Sequence, residues 1–261
     1  MIQTETTSRT ARERETSALD AEALTYLTGK HVFDTPSRAT CKTLLNCFLQ
    51  HVYPFLPIVD PTTLRTNYDD DPLPTFLLYT ISTVAAPYLS PEHLSSTGYP
   101  SITTAQTEFF TRAKLLYDSG CEQSELVCLQ ASVLLGSFQH SLDSTKNSRL
   151  WFANAVRLAK QMSLHRKDIE SEVDHVSYCL YQRIWWTIRF CDAFLVISGL
   201  EDALHVSDEQ TDTRPVDAFD QVSKIANAAA DAMEHSDAHI LAEACQWVQR
   251  GKNSLYAAPH H

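Results

Sequence analysis

Residues Tyr178 to Leu200 read YCLYQRIWWTIRFCDAFLVISGL, and at the helical period their apolar side chains cover every side of the cylinder. Ile184, Ile188, Cys191 and Leu195 take one side, and Trp186, Phe190, Ala193 and Phe194 another. A helix without a polar face belongs inside a core, either of a helical body or of a bilayer. Arg183, Arg189 and Asp192 decide between the two, since each would cost about 2.5–3.5 kcal/mol at a bilayer centre. The run therefore predicts the buried helix of a helical bundle and no membrane partner. Its three charges must be paired or face a cavity. Arg189 and Asp192 stand three apart and can meet on the helix surface, while Arg183 lies beside Trp186 and Thr187. Two readings stand: a buried ion pair that fixes helix register, or a polar patch in a pocket walled by Trp185 and Trp186 that takes a planar or hydrocarbon ligand.

The rest of the chain fits an all-α architecture, with a single multi-helix domain of packed antiparallel helix pairs around this Trp-Trp helix. Met1 to Thr16 has no apolar run and reads as a disordered tail. Ser17 is placed to cap a helix through Leu27 that Gly29 ends, and a second helix is expected from Thr40 to Val52. Pro54 to Asp60 is too proline-rich for a ladder strand and reads as an extended connector, after which Asp60 caps a short helix opening on Pro61. Pro74 to Ala86 predicts a buried helix and Ser90 to Pro100 a surface loop. Helices follow at Ser101–Ser119, Ser124–His140 and Asn147–Met162, the last with Trp151, Ala155, Leu158, Ala159 and Met162 in one core stripe. The domain is expected to span residues 17–215, with loosely packed alanine-rich helices over 216–261.

The run Arg183-Ile184-Trp185-Trp186 with Asp192 and Gly199, preceded by Leu158 to Arg166 (LAKQMSLHR), resembles the middle homology region of fungal zinc-cluster transcription factors. Pro54 to Asp60 is similar to the phrase that opens that region. The resemblance spans about His51 to Arg214, with three departures: Ser163 stands where the pattern has glycine, Arg183 precedes the Trp pair by one residue instead of two, and Gly199-Leu200-Glu201 replaces Gly-Arg-Pro. It implies a helical regulatory domain acting in the nucleus, with the cytoplasm as alternative. The implied partner is a zinc-cluster transcription factor or a second copy of the chain, and the implied ligand an apolar metabolite.

The composition narrows the chemistry. With 21 basic and 32 acidic residues the formal charge is −11, a poor footprint for phosphate backbones, so no direct nucleic-acid contact is expected. The six glycines are widely spaced, which excludes the loops that cradle phosphates and leaves no nucleotide cofactor expected. Seven cysteines with no C-x-x-C pair fit a reduced compartment and do not supply the six-cysteine cluster of the zinc module. His235 and His239 stand four apart, but Ser236-Asp237 breaks the helix between them, so no metal site is expected. No hydrolase, metalloprotease or kinase signature occurs, and no catalytic residue is assigned. The candidate ligand residues are Trp151, His165, Tyr181, Arg183, Trp185, Trp186, Arg189 and Asp192. The plainer reading of His165 is a cation at the end of the Trp151 helix.

Two functions from different classes therefore stand. One is a transcription-regulator-like protein without its own DNA-binding module, controlling a secondary-metabolite gene set through a metabolite or protein partner. The other is a repurposed enzyme of secondary metabolism on the same scaffold, a cofactor-free cyclase or Diels-Alderase type using an aromatic pocket, where shape and desolvation replace a catalytic motif.

Overall fold

The computed structural model describes residues 16, 19–66, 73–137 and 144–197, and every regular element among them is helical, as the sequence predicts. The chain forms two compact units. The first, through Ser141, runs α1 (Ala21–Gly29), α2 (Arg38–Cys47), a π turn (Phe48–Val52), α3 (Pro61–Thr66), α4 (Thr75–Ala85) with a 3₁₀ turn (Ala86–Tyr88), α5 (Pro91–Ser96), α6 (Ile102–Asp118) and α7 (Glu125–Ser137). The second, from Leu142, holds α8 (Ser144–Gln161), a 3₁₀ turn (Asp168–Ser171) and α9 (His175–Ile197).

Helices begin where a short polar side chain can accept from the first free backbone N–H groups. Asp20 accepts from Ala23 N at 2.7 Å, Ser37 from Thr40 N at 3.2 Å, and Ser101 from Thr104 N at 3.1 Å. The first unit is built on α4, buried on every side from Phe76 to Ala85. It packs against α2, the π turn, α6 and α7. Three of its buried hydroxyls return to the helix: Thr80, Ser82 and Thr83 each donate to the carbonyl four residues back at 2.8 Å, so no polar atom of theirs goes unpaired into the core.

Two polar latches tie loops to this axis. Gln130 Nε2 on α7 donates to Ile58 O at 2.8 Å, holding the connector whose Leu56, Ile58 and Val59 are buried. Tyr79 Oη donates to Asp34 O at 2.9 Å, and Arg112 Nη1 donates to the same carbonyl at 2.9 Å while its Nε donates to Glu108. The turn between α1 and α2 is thereby fastened to α4 and α6. Burial pushes the Tyr79 phenol up to about 12, with Arg112 pulling the other way.

In the second unit α8 and α9 pack together. α9 starts on Asp174, whose Oδ1 accepts from Val176 N and Ser177 N and whose Oδ2 accepts from Ser177 Oγ at 2.6 Å. Those bonds, led by the one from Ser177, hold its carboxyl below the usual carboxylate range. Among the described residues no helix is long and apolar enough to cross a membrane.

Three local expectations change. The first helix is capped by Asp20, and it does not end on Gly29, which is still helical. His31 takes the left-handed position at φ 55, with Val32 N bonded to Leu27 O and His31 N to Thr28 O, the bond pair of a Schellman end. The second helix starts at Arg38 and passes into a π turn in which Tyr53 N reaches Phe48 O at 2.9 Å. Within the expected loop from Ser90 lies α5, because Ser90 accepts from His93 N and Pro91 sits at the first helical position, where its missing N–H costs nothing. Residues 1–15, 198–261 and the His235–His239 pair lie outside the described residues, as does Gly199.

Candidate functional site

The residues singled out in the sequence belong to the second unit. α8 closes with Ser163 in the left-handed region at φ 60, Ser163 N bonded to Lys160 O and Leu164 N to Ala159 O. That turn buries Leu164 and carries the chain to His165, whose ring lies 5.6 Å from the Trp185 ring at a 48° tilt. Trp185 is fully buried, and Trp151, Trp186, Arg189 and Asp192 are also buried, while Tyr181 and Arg183 are half-buried. The Arg189 guanidinium stands 5.1 Å from the centroid of the Trp186 ring, within cation–π range. Arg183 instead gives its backbone carbonyl to Thr187 Oγ1 at 2.7 Å.

At 3.6 residues per turn Trp185 leaves α9 about 100° from Trp186 and about 200° from Arg183, so these candidates divide between faces of the helix. The structure brings His165 to Trp185 and Arg189 to Trp186. Two buried donors on α9, Trp185 Nε1 and Arg183 Nε, make no hydrogen bond among the described residues. A buried N–H left so costs about 1–3 kcal/mol relative to one with an acceptor, and an oxygen reaching either would recover it. Burial, with Asp192 adding to it, pushes the Cys191 thiol up to about 12, which keeps it protonated and unreactive.

A cleft of about 430 Å³ lies elsewhere, in the first unit. His51 and Val52 of the π turn, Phe55 and Leu56 of the connector, Val84, Pro87 and Tyr88 at the end of α4, Gln106 of α6 and Ser137 of α7 line it. None of the eight candidates does. His51 and Tyr88 stack with ring centroids 4.6 Å apart and planes 8° apart, although Tyr88 is 47% exposed. Gln106 Nε2 donates to Thr83 O at 3.1 Å and Ser137 Oγ to Leu134 O at 2.7 Å. Sequence reading missed this group because its members come from four separate stretches of chain without a shared motif. The signal nearest to it was the proline-rich connector, which was read as a link. Among the described residues no group of His, Cys, Asp and Glu is arranged to hold a metal ion.

Comparison with known proteins adds a second line. Residues 45–214 match the model of the fungal specific transcription factor domain. The chain is 33% identical over 169 residues to the fusaric acid cluster transcription factor of Fusarium oxysporum f. sp. lycopersici, covering 65% of this chain and 25% of that protein. It is 28% identical over 208 residues to cutinase transcription factor 1 alpha of Fusarium vanettenii, covering 78% and 22%, and 26% identical over 192 residues to the acetamidase regulatory protein of Aspergillus oryzae, covering 71% and 24%. The chain thus spans about a quarter of the length of the curated relatives it matches. No solved structure matches it.

Proposed function

This chain belongs to the fungal specific transcription factor domain family, and from that premise we propose that it is the regulatory part of a transcription regulator, acting in the nucleus on a gene set of secondary metabolism. The family match over residues 45–214 carries this reading. The relative named for the fusaric acid cluster supports the metabolic assignment, and a formal charge of −11 supports regulation through a partner instead of through these residues gripping DNA. The partner we propose is a zinc-cluster transcription factor or a second copy of the chain, and the signal an apolar metabolite. Trp151, His165, Tyr181, Arg183, Trp185, Trp186, Arg189 and Asp192 are the residues proposed to answer it. Trp185 Nε1, on the side of α9 that meets His165, is the donor that an oxygen of such a metabolite would engage.

Deleting the gene and profiling transcripts and metabolites together tests the role. We expect the transcripts of one co-ordinated gene set to collapse at least several-fold. Unchanged transcripts beside an accumulating uncyclised intermediate would overturn regulation and favour the enzyme that the same scaffold allows.

A further inference from the structure

We propose that the cleft of the first unit is a binding site for a planar aromatic molecule bearing a neutral O–H or N–H donor, a phenol or an N–H heteroaromatic. Its volume of about 430 Å³ falls in the range of small-molecule sites, about 300–1,000 Å³. The apolar part of the wall is Val52, Phe55, Leu56, Val84 and Pro87. On it stands the parallel His51–Tyr88 stack, whose half-exposed tyrosine ring presents an aromatic surface for a further flat ring.

The polar part of the wall selects the ligand's chemistry. Gln106 spends one of its two amide N–H groups on Thr83 O and keeps its carbonyl oxygen as an acceptor for a ligand. Ser137 spends its hydroxyl hydrogen on Leu134 O, which leaves its oxygen lone pairs. Both therefore offer acceptors, which an O–H or N–H donor on the ligand satisfies. Among the described residues no lysine, arginine, aspartate or glutamate lines the cleft, so an aromatic carboxylate would lose water there without gaining a counter-ion from them, in a chain already at −11.

The site is also held in shape by the fold. The π turn adds a residue to the end of α2 and re-aims His51 and Val52, a device common at binding sites. Cys47 Sγ donates to Tyr88 O at 3.6 Å, fastening the 3₁₀ turn to α2. Occupancy of this cleft does not depend on whether the chain regulates transcription, so its test reads binding alone.

Naphthol, methoxynaphthalene and naphthoate share one ring system and differ in the group they present. Titrated into the isotope-labelled full chain and followed by amide chemical shifts, naphthol is expected to perturb residues 51–56, 84–88 and 106. It should bind about fivefold or more tightly than either of the other two, the value of one or two hydrogen bonds. Gln106→Leu should weaken naphthol about fivefold and leave methoxynaphthalene unchanged. Tyr88→Ala, which removes a half-exposed ring, should weaken all three. Equal affinity for the three probes, an equal loss for all three in Gln106→Leu, or shifts confined to the Trp185 and Trp186 region would each overturn the assignment. The melting curve of each variant distinguishes lost binding from lost folding.

Discussion

Tyr79 shows how much one buried hydroxyl can organise. Its ring is fully buried on α4 and lies 6.2 Å from the Phe109 ring, yet its oxygen must be satisfied, and it is, by donating to Asp34 O and accepting from Arg112 Nη1 at 3.2 Å. The cost of burying the ionised form raises its pKa from 10.0 to about 12. The sign follows. The folded chain holds the phenolic proton more tightly than the unfolded chain, so this stability is fully present below pH 10 and is lost as pH rises from 10 toward 12. Tyr79→Phe should cost about 1 kcal/mol at pH 7, where the bond to Asp34 is lost, and that deficit should shrink or reverse at high pH. Urea unfolding of both proteins at neutral pH and between pH 10 and 12 checks it. A deficit that stays constant across that window would count against the account.

At the level of the helix, three C-termini close in the same way with three different residues. Gly120 ends α6 at φ 67 with Cys121 N bonded to Leu116 O, as glycine allows at little cost. His31 ends α1 and Ser163 ends α8 in the same left-handed conformation while carrying a Cβ, which the backbone resists. Ser163 is also the position where the related pattern has glycine, so the departure changes the residue and keeps the turn. Ser163→Gly should therefore raise stability by about 0.5–1 kcal/mol, read as an increase in melting temperature. A fall in melting temperature would mean that the serine makes a contact worth more than its strain. The turn matters beyond stability because it delivers His165 to the Trp185 ring.

For the molecule as a whole, charge and family point the same way. At about 0.15 M salt the purified 261-residue chain should not retard a random DNA duplex in a gel, since it lacks the positive field that phosphate neutralisation needs. Retardation would overturn the proposal that these residues work through a partner. Much of this was legible in the sequence. Apolar periodicity, capping serines and aspartates, and prolines at first helical positions dictate where helices start, because those signals act within one or two turns of backbone. The all-round apolar character of the Trp185–Trp186 run likewise predicted burial, which residues 184–189 show while Tyr181 and Arg183 are half-buried. Periodicity alone did not reveal that α5 interrupts an expected loop, that His31 replaces Gly29 at a helix end, or that Arg189 stands over the Trp186 ring. Those outcomes depend on which backbone N–H finds which acceptor in space. The cleft was beyond reach altogether, because its walls come from four stretches of chain that only the packing of α2, α4, α6 and α7 brings together. A sequence states what each residue prefers near its own backbone, whereas a concave surface exists only once distant residues have been brought side by side.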